Sequence, residues 1–379
     1  MDLSLTEEQV LFQKTARDFA MKELAPIASQ LDEEACFPGE IIKKLGELGF
    51  MGIAIPEEYG GAGADYRCYV LAIEEISKAC ASTGVIVSVN NSLVCDPLLT
   101  FGSEEQKRRY LTPLAKGEKL GCFALTEPNA GSDASNQQTT VRRDGDFYIL
   151  NGNKIFITNA PEADIAIVFG QADKAKGHKG ICAFIIEKGT TGFRVGKVKE
   201  KLGIKASSSS ELILEDCRVP RDNLLGEEGQ GFKIAMATLD GGRIGIAAQA
   251  VGIAQACLEA SINYAKERVQ FDQPIASFQA IQWMLADMAT HVEAARLLTY
   301  RAAFFKDQGK RITREAAMAK LFASEVAMAA GVKAIQIFGG YGYMMEYPVQ
   351  RYFRDAKVTE IYEGTSEVQR MVIAHSLLA

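Results

Sequence analysis

The sequence predicts a mostly helical α+β chain in three parts. These are an N-terminal helical domain over residues 1–120, a middle antiparallel β domain over 121–226 and a C-terminal four-helix bundle over 227–379. Apolar residues recur at helical spacing up to about residue 120, the period falls to two until about residue 220, and helical spacing then returns in four long runs. The β segments follow one another with no helices between them, which argues against a parallel βαβ sheet.

Each element has a local reason. "TEEQ" (6–9) reads as a capping box, with Thr6 as N-cap and Gln9 three residues on. Val10, Phe12, Phe19 and Leu24 supply the apolar face behind it, and Pro26 is expected to end the helix. Further helical periods cover 39–50 and 66–82, on either side of the glycine-rich turn "EEYGGAGAD" (57–65). Residues 144–160, "DGDFYILNGNKIFITNA", read as a hairpin turning at Asn151-Gly152. Residues 163–170, 180–189 and 209–220 are short strands rich in β-branched side chains. After "GEEGQGF" (226–232), helices are expected over 230–267, 277–308, 313–339 and 346–376.

Composition removes several functions. The chain has 379 residues, 47% of them apolar, with a net charge of −6 and no basic run, so nucleic acid and anionic membrane are excluded as partners. "MDLSLTEEQV" has neither a basic leader nor an apolar one, and the expected location is the cytoplasm. The most apolar stretch, 244–260, carries Gln249 and Gln255 and reads as a buried helix rather than a membrane span. Eight cysteines form no C-x-x-C pair and read as buried thiols in a reducing compartment. Three scattered histidines, 178, 291 and 375, give no metal site and no Ser-His-Asp arrangement. Chemistry falls to carboxylates, hydroxyls, backbone groups or a cofactor.

No G-x-G-x-x-G lies between a strand and a helix, and no Walker A loop is present, so NAD in a Rossmann fold is out. Two stretches suit a flat, phosphate-bearing ligand. "CFALTEPNAGSD" (122–133) runs from an apolar strand into small residues whose backbone N–H groups can approach a phosphate. In "KIFITNA" (154–160), Phe156 and Thr158 share a strand face and offer a ring beside a hydroxyl. Taken singly, each also reads as a plain loop or ordinary strand packing. A third stretch, "TEIYEGTSEVQR" (359–370), holds Glu360, Glu363 and Glu367. Loop acids are mostly solvated, but Glu363 lies between Tyr362, which can exclude water, and Gly364, which lets a ligand come close.

Together these stretches resemble the acyl-CoA dehydrogenases, the short-chain (butyryl-CoA) branch most of all. The resemblance runs over essentially the whole chain. It is carried by "ALTEPNAGSD" (124–133), "FITNA" (156–160), "LGIKASSSSELILEDCRVP" (202–220), "GFKIAMATLDGGRIGIAAQAVGIAQ" (231–255), "ERVQFDQPIASFQAIQ" (267–282), "QIFGGYGY" (336–343) and "RDAKVTEIYEGTSEVQR" (354–370). It implies a homotetramer of α–β–α subunits that holds FAD and oxidises an acyl-CoA to its trans-2-enoyl form. Electrons would then pass to an electron-transferring flavoprotein.

Residue by residue, the resemblance places Phe123, Leu125, Thr126, Gly131, Ser132, Phe156, Ile157 and Thr158 along the flavin, with Thr158 near N5. Arg268, Phe271, Gln279, Gln336, Gly339 and Gly340 would complete the FAD site of a neighbouring subunit, Arg268 meeting the pyrophosphate with its planar fork. Thr365 and Glu367 would touch FAD as well, and Ser132, Asp240, Arg243 and Gly364 the acyl-CoA. The chain departs from the family at Phe156, where Trp is usual, at Asp272, where Gly is usual, and at Asp96, which relatives replace by an uncharged residue. Asp96-Pro97 is read as an N-cap with proline at the first helical position, in preference to an acid in the acyl pocket.

On this resemblance Glu363 is the catalytic base. The α-proton of a thioester is weakly acidic, and a carboxylate becomes a better base for it when burial raises its pKa. The Glu363 backbone N–H would help hold the enolate oxygen while FAD takes the β-hydride. Some relatives carry the base at the position of Gly242, which cannot serve here. Other readings are a dehydrogenase of a branched or alicyclic acyl-CoA, an acyl-CoA oxidase, and a non-catalytic relative acting as a binding protein. A glutaryl substrate is disfavoured, since residues 82–95 hold no Arg or Lys for a distal carboxylate.

Overall fold

The computed structural model describes residues 4–378. Its N-terminal part holds α1 (Glu7–Phe19), α2 (Ala28–Glu33), α3 (Gly39–Glu47), α4 (Tyr66–Ala79), α5 (Ala81–Ser88), α6 (Asp96–Phe101), α7 (Glu104–Gln106) and α8 (Thr112–Ala115). The Thr6–Gln9 capping box forms, with both reciprocal hydrogen bonds at 3.1 and 3.2 Å. Pro26 does not end the helical run. A π turn (Ala20–Leu24) and a 3₁₀ turn (Ala25–Ile27) carry the chain on into α2. Pro26 falls at the start of that 3₁₀ turn, where its missing N–H is not needed. The run expected over 66–82 breaks at Cys80, whose backbone is extended (φ −152°, ψ 107°).

Asp96 is not an N-cap. It sits in helical conformation (φ −59°, ψ −49°) directly after a π turn, Val89–Cys95, and its carboxylate meets Lys306 Nζ at 2.6 Å. The charge that stands out in the sequence is spent on an ion pair.

Eight strands follow: β1 (Gly121–Ala124), β2 (Thr140–Asp144), β3 (Phe147–Thr158), β4 (Ile165–Gln171), β5 (Ile181–Glu187), β6 (Phe193–Val195), β7 (Ser209–Pro220) and β8 (Leu224–Leu225). They order as β6-β7-β3-β2-β4-β5-β8, with β1 alongside β4. The sheet is mixed rather than purely antiparallel: β1 pairs with β4 in parallel, Gly121 opposite Ile165, and Thr140 of β2 also pairs in parallel with Gln171. Residues 125–139 leave the sheet after β1 and re-enter at β2, so β1 and β4 run the same way. The hairpin turns at Gly145-Asp146 (Gly145 φ 60°, Asp144 opposite Phe147), not at Asn151-Gly152. Asn151 instead faces a bulge in β7, where Glu215 and Asp216 lie opposite it, and its side-chain amide exchanges two hydrogen bonds with Asp216 at 2.7 and 3.1 Å.

β4 and β5 show why they read as apolar runs. Ile165, Ile167, Phe169, Ile181, Ala183 and Ile185 enter a core shared with the helices, while Ala166, Val168, Cys182, Phe184 and Ile186 enter a second core on the other face. Strands buried on both sides lose the alternation of half-exposed ones.

The C-terminal part holds α9 (Gly231–Glu267), α10 (Gln279–Asp307), α11 (Thr313–Phe338), α12 (Val349–Thr359) and α13 (Ser366–Leu378). The helix expected over 346–376 is thus two, parted by the turn 360–365. α9 is buried without interruption from Gly241 to Ala254 and packs against α4 and α11, joining the two helical parts. Among the described residues three segments, including α9, are apolar and long enough to cross a membrane by composition alone. Most of the apolar window of α9, 83%, is spent inside the fold.

Candidate active site

A cavity of about 290 Å³ opens where the three parts meet. Val85, Val89 and Leu93 form its N-terminal wall, and Phe232, Met236, Leu239 and Arg243 of α9 face them. Phe123, Leu125, Thr126, Gly131, Ser132, Phe156, Ile157 and Thr158 line it from the sheet, and Tyr362, Glu363, Gly364 and Val368 from the C-terminal turn. Three stretches far apart in sequence converge on one volume.

The sheet side is built by two devices. Lys154 on β3 is fully buried and donates to Glu127 at 2.6 Å, to Gln137 and to the Leu125 carbonyl at 3.2 Å. Glu127 in turn accepts from the Thr139 amide at 3.0 Å, so this cluster pins both ends of the 125–139 loop to the strand. Burial pulls the Lys154 ammonium down to about 8, against the pull of Glu127. Breaking a buried pair of this kind typically costs about 3–5 kcal/mol. The second device is a bulge in β3 between Lys154 and Ile157, where Ile155 and Phe156 face the single residue Glu211 of β7. Phe156 sits there at φ 59°, a conformation that is strained for an aromatic residue. Its ring is 67% exposed toward the cavity, although strand aromatics normally pack.

The C-terminal side is a strained turn. Glu363 has φ 53° and Gly364 φ 96°. Only the second suits its residue type, so the turn is held from outside. Gln369 Nε2 donates to the Glu363 and Gly364 carbonyls at 3.1 and 2.8 Å, and Lys320 Nζ to the Gly364 carbonyl at 2.7 Å. The Tyr362 hydroxyl donates to Gln249, whose own amide donates to the Ala81 carbonyl at 2.8 Å. These bonds place the Glu363 carboxyl against α9.

Glu363 as a residue keeps some exposure to the cavity, but its Oε2 is buried and has no hydrogen-bond partner. Burial pushes the carboxyl up to about 8, with Lys320 and Arg243 opposing the rise. Arg243 is held by Asp240 at 2.7 Å, and Asp240 accepts from Thr313 Oγ1 at 2.6 Å. A buried carboxyl with an unfilled oxygen and a raised pKa, on the wall of an apolar cavity, marks a candidate proton-transfer group.

Not every residue named from the sequence lies here. Asp240 stays outside the cavity and reaches it through Arg243, and Thr365 and Glu367 also stand off its walls. Arg268, Phe271 and Gln279 lie apart, between the end of α9 and the start of α10, and Gln336, Gly339 and Gly340 lie at the end of α11, also outside the cavity. There Arg268 lies over the Tyr341 ring, its guanidinium carbon 5.3 Å from the ring centroid, and Phe271 is 87% exposed. Missed from the sequence was a second cavity of about 950 Å³ that shares Ser132, Asp133 and Val368 with the first and carries Lys310, Arg311 and Arg314. The cations of "GKRITR" (309–314) were the signal for it.

The first cavity fits a flat cofactor. The exposed Phe156 ring supplies a stacking face, the space around Gly131 is open, and Ser132 and Thr158 bring hydroxyls to the rim. The buried acid and the ring bay share one cavity, the arrangement of an enzyme site built around a bound cofactor.

The chain belongs to the acyl-CoA dehydrogenase family. It matches that family's N-terminal domain over residues 6–118, its middle domain over 122–217 and its C-terminal domain over 229–378. It is 56% identical over 376 residues to the mitochondrial short-chain specific acyl-CoA dehydrogenase of Mus musculus, covering 99% of this chain and 91% of that one. Butyryl-CoA dehydrogenase from Megasphaera elsdenii shares the fold at a TM-score of 0.99 and 52% identity, with both chains fully covered. A chain in the structure of the electron transferring flavoprotein of Acidaminococcus fermentans, solved toward a mechanism of flavin-based electron bifurcation, matches at 0.99 and 56%, again over both whole chains. The enzyme is therefore an FAD-dependent oxidoreductase.

Proposed function

We propose that this chain dehydrogenates a short-chain acyl-CoA, butyryl-CoA first, to the trans-2-enoyl-CoA, with Glu363 as the base. The observation that carries the reading is the unpartnered, buried Glu363 Oε2 in the same cavity as the exposed Phe156 ring. Bound FAD supplies the hydride acceptor for the β-hydrogen. Phe123 to Ser132 and Phe156 to Thr158 hold and orient it, and Glu363 removes the α-proton. The Glu363 N–H is the chain's own donor for the thioester oxygen as negative charge develops there. The apolar walls Val85, Val89, Leu93, Met236 and Leu239 exclude water and carry no cation for a distal carboxylate. A cavity of about 290 Å³ shared with a flavin edge leaves room for a short acyl group. Lys310, Arg311 and Arg314 in the adjoining cavity match the phosphates of CoA.

Butyryl-CoA is expected to bleach the flavin under anaerobic conditions faster than branched or alicyclic acyl-CoA does. Electron-transferring flavoprotein, rather than NAD or air, is expected to restore the colour. A branched substrate reducing the flavin fastest refutes the acyl assignment, and rapid reoxidation by air during turnover would mark an oxidase.

The reading extends to a homotetramer in which Arg268, Phe271, Gln279, Gln336, Gly339 and Gly340 reach a neighbour's FAD. Their position outside the chain's own cavity, with Phe271 exposed, supports it. Arg268→Ala is expected to weaken FAD retention and tetramer stability together, read by flavin absorbance across a gel-filtration peak. Full flavin occupancy in a stable tetramer argues against the shared site.

A further inference from the structure

Lys320 on α11 is completely buried. A buried ammonium is ordinarily paired with a carboxylate, because leaving it unpaired costs several kcal/mol. Among the described residues Lys320 is in no ion pair, and its hydrogen bond goes to a neutral acceptor, the Gly364 carbonyl, at 2.7 Å. That carbonyl already accepts from Gln369 Nε2 at 2.8 Å. The carbonyl has a lone pair for each donor, and of the two only Lys320 also brings a charge.

The charge acts on the base. The groups that bear on Lys320 are, in order, Glu363, Arg243, Glu360 and Glu367. Glu360 is drawn to Lys357 at 2.6 Å, and Glu367 is exposed. Arg243 is matched by Asp240, so its field at Glu363 is partly offset. Lys320 has no such counter-charge. Burial lowers its ammonium to about 8, which leaves it charged at neutral pH.

We propose that Lys320 is a positioning residue for the proton transfer: it fixes the Glu363–Gly364 turn through the Gly364 carbonyl and keeps the Glu363 carboxyl ionised enough to act as a base near neutral pH. This rests on the function proposed above. Burial drives Glu363 toward the neutral acid, which accepts no proton, and Lys320 is the unshared charge that opposes it.

The test is anaerobic flavin reduction by butyryl-CoA across about pH 6 to 10, in holoenzyme carrying Lys320→Met or Lys320→Arg. In Lys320→Met the midpoint of the acid limb is expected to rise by about one pH unit or more. The neutral-pH rate then falls about tenfold and recovers at high pH, with KM for butyryl-CoA within about threefold. Lys320→Arg is expected to return the midpoint toward wild type. An unmoved midpoint in Lys320→Met, whatever its rate, shows a packing role and overturns the proposal. Should Lys320→Met fail to retain FAD, Lys320→Gln keeps an amide donor without the charge and is read in the same way. Wild-type enzyme is run beside them: absence of reduction there refutes the proposed function, whereas reduction with an unmoved limb in the variants refutes the role of Lys320 alone.

Discussion

Glu363→Gln is expected to lower flavin reduction by acyl-CoA about 10²–10⁴-fold, the range typical of a lost general base, while FAD stays bound and acyl-CoA still binds. The amide fills the same space on the cavity wall and leaves the Gln369 and Lys320 bonds to the backbone in place. What it lacks is a lone pair basic enough for the α-proton. The wild-type rate is expected to climb with pH through about 8, where the carboxyl ionises, and the variant to lose that dependence. Activity within a few-fold of wild type would remove Glu363 from the mechanism.

Stability is expected to move the other way. Below about pH 4.5 the carboxyl is protonated in the folded and the unfolded chain alike. Between there and about 8 only the unfolded chain gives up the proton, so this group makes stability fall as pH rises through that window. Glu363→Gln removes the effect. Its unfolding midpoint is expected to lie above that of wild type near pH 8, and to converge with it toward pH 4.5. A variant less stable than wild type at both pH values would mean that the carboxylate has a partner contributing to the fold.

What could be read from the sequence was what is local. The Thr6–Gln9 box, the apolar runs of β4 and β5 and the length of α9 are written in neighbouring residues. The stretch around Glu363 stood out because an aromatic and a glycine flank it. Competing local signals misled: Asn151-Gly152 is the better turn dipeptide, yet the chain turns at Gly145-Asp146. Gly152 is needed instead for packing, since a Cβ there would lie 2.5 Å from Thr139 Oγ1. Asp96 beside Pro97 looked like a cap because Lys306, its actual partner, is 210 residues away. Lys320 was illegible for the same reason. Its acceptor lies 44 residues on, and nothing in "MAKLFASE" marks that lysine as buried. Charges that shape the base are long-range contacts, which periodicity and turn chemistry do not encode.

Gly242→Ala is expected to cut flavin reduction by about 100-fold although it adds one methyl group to the middle of a helix. Away from an active site, alanine is the better helix residue by about 1 kcal/mol, so α9 itself loses nothing. The methyl, however, would lie 2.1 Å from Glu363 Oε2 and 2.6 Å from Leu93 Cδ2, closer than atoms can pack. Leu93 is held in the core at 5% exposure, whereas the Glu363 carboxyl ends a side chain with an unpartnered oxygen, so the carboxyl is the group that yields. A displacement of about 1 Å at a reacting group is enough for a loss of that size. FAD content and unfolding midpoint are expected to stay near wild type, which separates a displaced base from a damaged fold. Rates within about threefold of wild type would show that the base tolerates movement and that the glycine is there only for packing. The expected loss would mean that Glu363 works because residue 242 has no side chain: the helix that holds the base in some relatives here supplies the space that the base on the turn occupies.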